Sequence, residues 1–74
     1  MVSKESFIAA LDYFGKQIDR LEIRHGETNI VRTKPENLKF LDFGVVCYSE
    51  KEKDHVILIP YHRIFYLHIY LIQK

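Results

Sequence analysis

The sequence predicts a small α+β domain: one N-terminal helix, then a four- or five-stranded, mostly antiparallel sheet curled on itself or closed as a small barrel. Three observations lead there. Apolar residues recur at helical spacing only near the start, at Phe7, Leu11, Phe14 and Ile18. From Ile18 onward the pattern switches to alternation and to short runs of β-branched and aromatic residues. At 74 residues, the chain has room for one domain, 1–74, and no segment reads as a linker or a repeat. One helix laid over one side or end of a curled sheet is the economical way to bury both apolar faces.

The helix is expected over about Lys4 to Phe14, with a continuation to Gln17 left open by the pattern. Ser3 suits the N-cap, Glu5 suits the positive helix end, and Val2 and Phe7 stand at staple spacing. Gly15 can supply a left-handed C-cap. Ile18 to His25 alternates as a half-buried strand with one irregularity near Arg20. His25-Gly26-Glu27 is a turn, and Thr28–Thr33 returns as a second strand. Lys34-Pro35-Glu36-Asn37 is a polar turn. Leu38–Leu41 reads equally as a helical turn or a short strand, and Asp42-Phe43-Gly44 as a bend. Val45–Tyr48 is a strand, and Ser49–Asp54 a solvated loop.

The stretch from His55 to Ile72 organises the rest. Val56–Ile59 and Ile64–Ile72 are apolar strands joined by Pro60-Tyr61-His62-Arg63. Proline cannot donate to a sheet ladder, so Pro60 marks a break, and the polar side chains after it sit on a joint fixed from both sides. Alternation in the last strand places Phe65, Leu67, Ile69 and Leu71 toward the core. Ile64, Tyr66, His68, Tyr70 and Ile72 then form a stripe on the other face. That stripe suits base stacking, and equally packing against the helix or a second protomer.

Composition narrows function. A net charge of +1 gives no whole-protein field for polyanions, so nucleic-acid binding would rest on a local patch. One cysteine, Cys47, excludes an internal disulfide, and a hydrophobic share of 47% on so short a chain favours a homo-oligomer. The apolar runs are too short to span a membrane, and the N-terminal residues do not form a secretory signal, so a reducing, cytoplasmic setting is expected. His25, His55, His62 and His68 lack zinc-finger spacing; no metal or cofactor is expected, and no phosphate loop or nucleophile elbow is present.

Two Arg-His pairs carry the chemistry. Arg24-His25 ends the first strand and His62-Arg63 occupies the joint. Brought to one sheet edge, they would suit a phosphate: guanidinium donates bidentately, and imidazole donates or accepts near neutral pH. Acid–base work on a phosphodiester by His25 and His62 is a further possibility. Alternatively, the arginines pair with nearby acids such as Glu22 and Glu27. Ile59-Pro60-Tyr61-His62-Arg63-Ile64 followed by Tyr66 resembles the IPxHRI-x-Y signature of a small domain family described as recognising RNA ends with cyclic phosphates. Arg24-His25-Gly26-Glu27 resembles that family's first-strand motif, and Pro35 falls where the family often has a proline.

A second resemblance is to Sm-like proteins, through Phe14-Gly15-Lys16-Gln17-Ile18, Phe40-Leu41-Asp42-Phe43 and Tyr61-His62-Arg63-Ile64. It implies a helix followed by a five-stranded bent barrel, assembling into rings on single-stranded RNA. Asp42, Phe43 and His62 would lie at the base pocket, with Lys16 and Arg20 at the rim. Both resemblances imply a non-enzymatic module that binds single-stranded RNA or RNA ends. The expected contacts are Arg24, His25, His62 and Arg63 on phosphate, with Tyr61 or Tyr66 stacking. The alternative is a protein–protein module or accessory subunit that oligomerises through its last strand.

Overall fold

The computed structural model describes residues 1–73. One helix, α1 (Lys4–Phe14), is followed by β1 (Ile18–His25), β2 (Asn29–Thr33), β3 (Leu38–Phe40), β4 (Gly44–Tyr48), β5 (Val56–Pro60) and β6 (Ile64–Leu71). Single 3₁₀ turns join α1 to β1, β2 to β3 and β5 to β6. The strands form two antiparallel sheets, β2-β1-β6 and β3-β4-β5. The expected α+β architecture is therefore the one the chain adopts, with six strands because the ambiguous Leu38–Leu41 stretch contributes β3. The sheets curl over one core without closing into a barrel.

Local signals explain the elements. Ser3 caps α1, its Oγ accepting from the Ser6 amide at 3.1 Å, and Gly15 ends it at φ 51°, ψ −124°. That positive φ is not the left-handed cap expected of Gly15, although its amide still donates to the Leu11 carbonyl. A three-residue turn headed by Pro35 breaks β2 from β3, which lets the chain pass from one sheet to the other. Gly44 is needed for contact: a Cβ there would stand 2.7 Å from the Ile59 carbonyl oxygen, so a side chain would push β5 away from β4.

The core lies between the sheets. Phe7 from α1, Ile23 from β1, Val45 and Cys47 from β4, Ile59 from β5, Tyr61 and Ile64 pack as one cluster. Phe7 and Phe40 meet edge to face with centroids 5.0 Å apart. Fully burying a side chain of this kind contributes about 1.5–3 kcal/mol. A single cluster drawn from both sheets and the helix makes them one cooperative unit. Two hydrogen bonds strap the N-terminal segment to β6: Val2 N donates to Ile64 O at 3.0 Å, and Ile72 N donates to Gln17 O at 2.8 Å.

β6 departs from simple alternation. Ile23 faces Leu67 and Arg24 faces Tyr66, but His25 faces Ile64, so Phe65 is the extra residue of a bulge. Ile64, expected on the outer stripe, is fully buried, and Phe65, expected in the core, is 47% exposed. Beyond the bulge the alternation holds from Leu67 to Ile69, but Leu71, expected toward the core, is 41% exposed at the strand end. A second shift in pairing falls between Ile18 and Arg20, at the irregularity the sequence marks.

Candidate nucleic-acid interface

Strand register decides which polar side chains share a surface. On β1, Leu21 and Ile23 are fully buried, so Arg20, Glu22 and Arg24 face outward. Their cross-strand partners are Tyr70, His68 and Tyr66 on β6, and Arg32 and Ile30 on β2 oppose Glu22 and Arg24. Directly opposed residues have Cβ atoms about 4.5–5.5 Å apart, close enough for side chains to touch. The outer face of this sheet is thus a lattice of rings and guanidinium groups on a rigid support.

One half of the lattice is internally satisfied. Glu22 Oε2 accepts from Arg32 Nε at 3.1 Å, and Glu22 Oε1 accepts from the Tyr70 hydroxyl at 3.2 Å. The Arg20 guanidinium lies over the Tyr70 ring at 4.1 Å and also donates to Asp19 at 3.0 Å. The other half is open. Tyr66 is 61% exposed and its ring lies 6.2 Å from that of His68. Arg24 beside it has no carboxylate within ion-pair distance among the described residues. Glu22 therefore goes to Arg32 and not to Arg24, and Arg63 is likewise unpaired among the described residues.

The two Arg-His pairs meet through the backbone. The turn after β1 places Gly26 at φ 62°, and its amide donates to the Arg63 carbonyl at 3.0 Å. Arg24-His25 and His62-Arg63 therefore sit at the same end of the β1–β6 pair. Two shallow hollows flank that end and share Met1 as a wall. Arg24, Gly26, Phe65 and Tyr66 line one, whereas Lys4, Asp42, Phe43, Tyr61 and His62 line the other. His25 lines neither.

Tyr61 is placed differently from the other expected contacts. It is 8% exposed, and its hydroxyl donates to the Leu41 carbonyl at 2.6 Å, so its ring belongs to the core. Burial, the main cause, raises its pKa. Tyr66 is thus the free ring of the two named for stacking. Phe43 is 62% exposed beside His62, and Lys4 Nζ holds Asp42 Oδ1 at 3.1 Å on the rim of the same hollow. Glu22 takes an arginine, as one reading of the sequence has it, but the arginine is Arg32 of β2. Arg32 and Phe65 also belong to this surface; alternation in β2 points to Arg32, whereas the outward turn of Phe65 needs the bulge.

Among the described residues no group of three His, Cys, Asp or Glu side chains could hold a metal ion. No helix among them is long and apolar enough to cross a membrane. No family model, curated protein or solved structure matches the chain.

Proposed function

We propose that this chain is an RNA-binding module that holds single-stranded RNA, or an RNA end, where β1 meets β6. Arg24 and Arg63 take backbone phosphates, His25 and His62 add hydrogen bonds, and a base stacks on Tyr66. The supporting observation is the juxtaposition of unpaired Arg24 with exposed Tyr66, one turn from a backbone bond that ties in Arg63. A guanidinium beside an exposed ring on a rigid sheet is the pairing single strands need, because phosphate and base then bind together. Binding rather than catalysis is the reading. His62 lines a hollow that His25 does not, so the geometry does not favour a two-histidine acid–base pair. A reducing, cytoplasmic setting belongs to the same proposal and is supported by a single, buried, free Cys47.

Fluorescence anisotropy with a short single-stranded RNA tests it. Affinity falls with salt at a log–log slope of about −2, from roughly 0.7 per contact over three phosphate contacts, Arg24, Arg63 and one lysine. Arg24→Ala weakens binding and shallows the slope by about 0.7. His62→Ala, which removes a hydrogen bond to a charged group worth about 1.5–3 kcal/mol, weakens it roughly ten- to a hundredfold. His62→Gln retains much of the affinity because glutamine still donates. An oligonucleotide ending in a cyclic phosphate, compared with one ending in a 3′-hydroxyl, distinguishes end recognition from strand recognition. No binding at low salt removes the proposal.

A second reading rests on a separate observation. β5 and β6 each pair on one side only, and exposed apolar residues occupy both: Val56 and Leu58 on β5, Phe65 and Leu71 on β6. Unpaired strand edges of this kind template pairing with another chain. This supports a homo-oligomer or a protein-binding subunit. Light scattering at micromolar concentration gives a dimer or larger assembly on this reading, and a strictly monomeric mass excludes it.

A further inference from the structure

The two sheets part at the end of the molecule where β4 runs into the 49–55 loop, and the gap is a cleft of about 380 Å³. Its floor is carbon and sulfur: Val31 from β2, Cys47 from β4 and Ile57 from β5. No residue of α1 lines it. Burial holds the Cys47 thiol up at about 11, so this floor is a poor place for charge. The mouth is different in kind. Lys34 and Lys51 stand there, and neither has an ion-pair partner among the described residues. The one acid lining the cleft, Glu50, has its Oε1 held by Asn37 Nδ2 at 2.7 Å. The two arginines of the rim, Arg20 and Arg32, are engaged by Asp19 and Glu22. What the cleft offers is an apolar interior behind two free ammonium groups.

We propose that this cleft binds a small amphiphilic anion, free in solution, with its alkyl or aryl body against Val31, Cys47 and Ile57 and its carboxylate or phosphate at Lys34 and Lys51. Charge complementarity selects the class. The mouth favours a negative head and the floor an apolar body; Thr33, Ser49 and His55 also line the cleft and can hydrogen-bond the head, but a cation has no match. The volume lies at the small end of the range of small-molecule sites, about 300–1,000 Å³. A concave slot between two sheets encloses a single molecule, whereas a bilayer would need a convex or flat apolar face. The cleft shares Arg20 and Arg32 with the outer face of β2-β1-β6 but none of the RNA contacts Arg24, His25, His62, Arg63 or Tyr66, so the two readings can fail independently.

The test is an NMR titration of the full chain with decanoate below its micelle concentration, beside acetate and decanol. Saturable amide shifts at Val31, Cys47 and Ile57 are expected with decanoate; acetate, which lacks a body, gives none. Decanol binds at least tenfold more weakly. The double variant Lys34→Glu/Lys51→Glu, two surface changes that leave the core intact, weakens decanoate at least tenfold and leaves decanol binding where it was. Bound decanoate also slows alkylation of Cys47, whose sulfur lies at the floor. Absence of saturable shifts overturns the proposal. So does equal affinity for decanol and decanoate, or indifference of decanoate to the lysine changes, because each describes a mere apolar crevice. Tighter binding to anionic vesicles than to monomeric decanoate overturns the soluble ligand in favour of a membrane surface.

Discussion

The outer faces of the two sheets have little in common. On β2-β1-β6 every row across the strands mixes charge with rings: Arg32–Glu22–His68, Arg20–Tyr70, and Ile30–Arg24–Tyr66. On β3-β4-β5 the corresponding rows are Lys39–Val46–Leu58 and Tyr48–Val56, in which one lysine is the sole charge. Both faces stand on the same core, so the contrast does not arise from folding requirements. A face with paired and unpaired guanidinium groups has the chemistry that the proposed RNA contact requires. A face of aliphatic side chains beside an unpaired edge is organised to meet another apolar surface. The difference favours the RNA role on the first face and an apolar contact on the second, although the open edge of β6, with Phe65 and Leu71, brings part of the association surface onto the first sheet.

The largest perturbation tests whether the two sheets are one unit. Phe7→Ala should cost about 3–5 kcal/mol, measured by denaturant unfolding, and destabilise both sheets together because Phe7 packs against residues from each. Two separate transitions would show that the faces rest on independent cores.

Next is Tyr66→Ala. Losing one base stack should weaken RNA binding by about 1–3 kcal/mol, read by anisotropy, with no change in oligomeric mass. Leu58→Lys should do the reverse, lowering the mass seen by light scattering and leaving RNA affinity in place. If either variant moves both readouts, the division of labour between the faces is wrong.

A third expectation concerns the interior that the faces share. Cys47 is 4% exposed with its pKa raised from 9.0 to about 11, so the folded state retains a proton that the unfolded chain releases. Stability from this group is therefore full below pH 9 and is lost as pH rises toward 11, by roughly 2–3 kcal/mol at most. Tyr61 adds to the loss in the same direction. Urea unfolding at stepped pH should show the slope, and Cys47→Ala should reduce it.

The smallest effect sharpens the first face. Glu22→Gln should change stability by less than about 1 kcal/mol, because Arg32 is largely exposed, yet it frees a guanidinium on the platform. RNA affinity should rise and the salt slope should steepen by up to about 0.7. Unchanged affinity would mean that the platform beyond Arg24 is not used.

Much of this was readable in the residues, and the rest has identifiable reasons. Ser3, the alternation of Leu21 and Ile23 against Glu22 and Arg24, and the break at Pro60 all act over a few positions, so their consequences appear in the sequence. Phe65 and Ile64 exchange faces because the bulge is fixed by pairing with His25, some 40 positions away. Whether Tyr61 points inward depends on the Leu41 carbonyl that receives its hydroxyl. Glu22 choosing Arg32 over Arg24 is likewise a result of register. The cleft behind Lys34 and Lys51 is an absence of filling between elements, which periodicity cannot register.

The two hydrogen bonds that strap the helical segment to the ends of β6 bear on motion. Helices in small domains usually fray from a free end, one turn at a time. Here residue 2 is fixed at one end of β6 and residue 17 is tied to the other, so detachment of α1 breaks both bonds and withdraws Phe7 in one event. Amide exchange along α1 should then collapse toward a common opening free energy close to that of global unfolding, with no gradient from either end. A helix held in this way is a girder. It pins the first residue of β6, and with it the joint that carries His62 and Arg63.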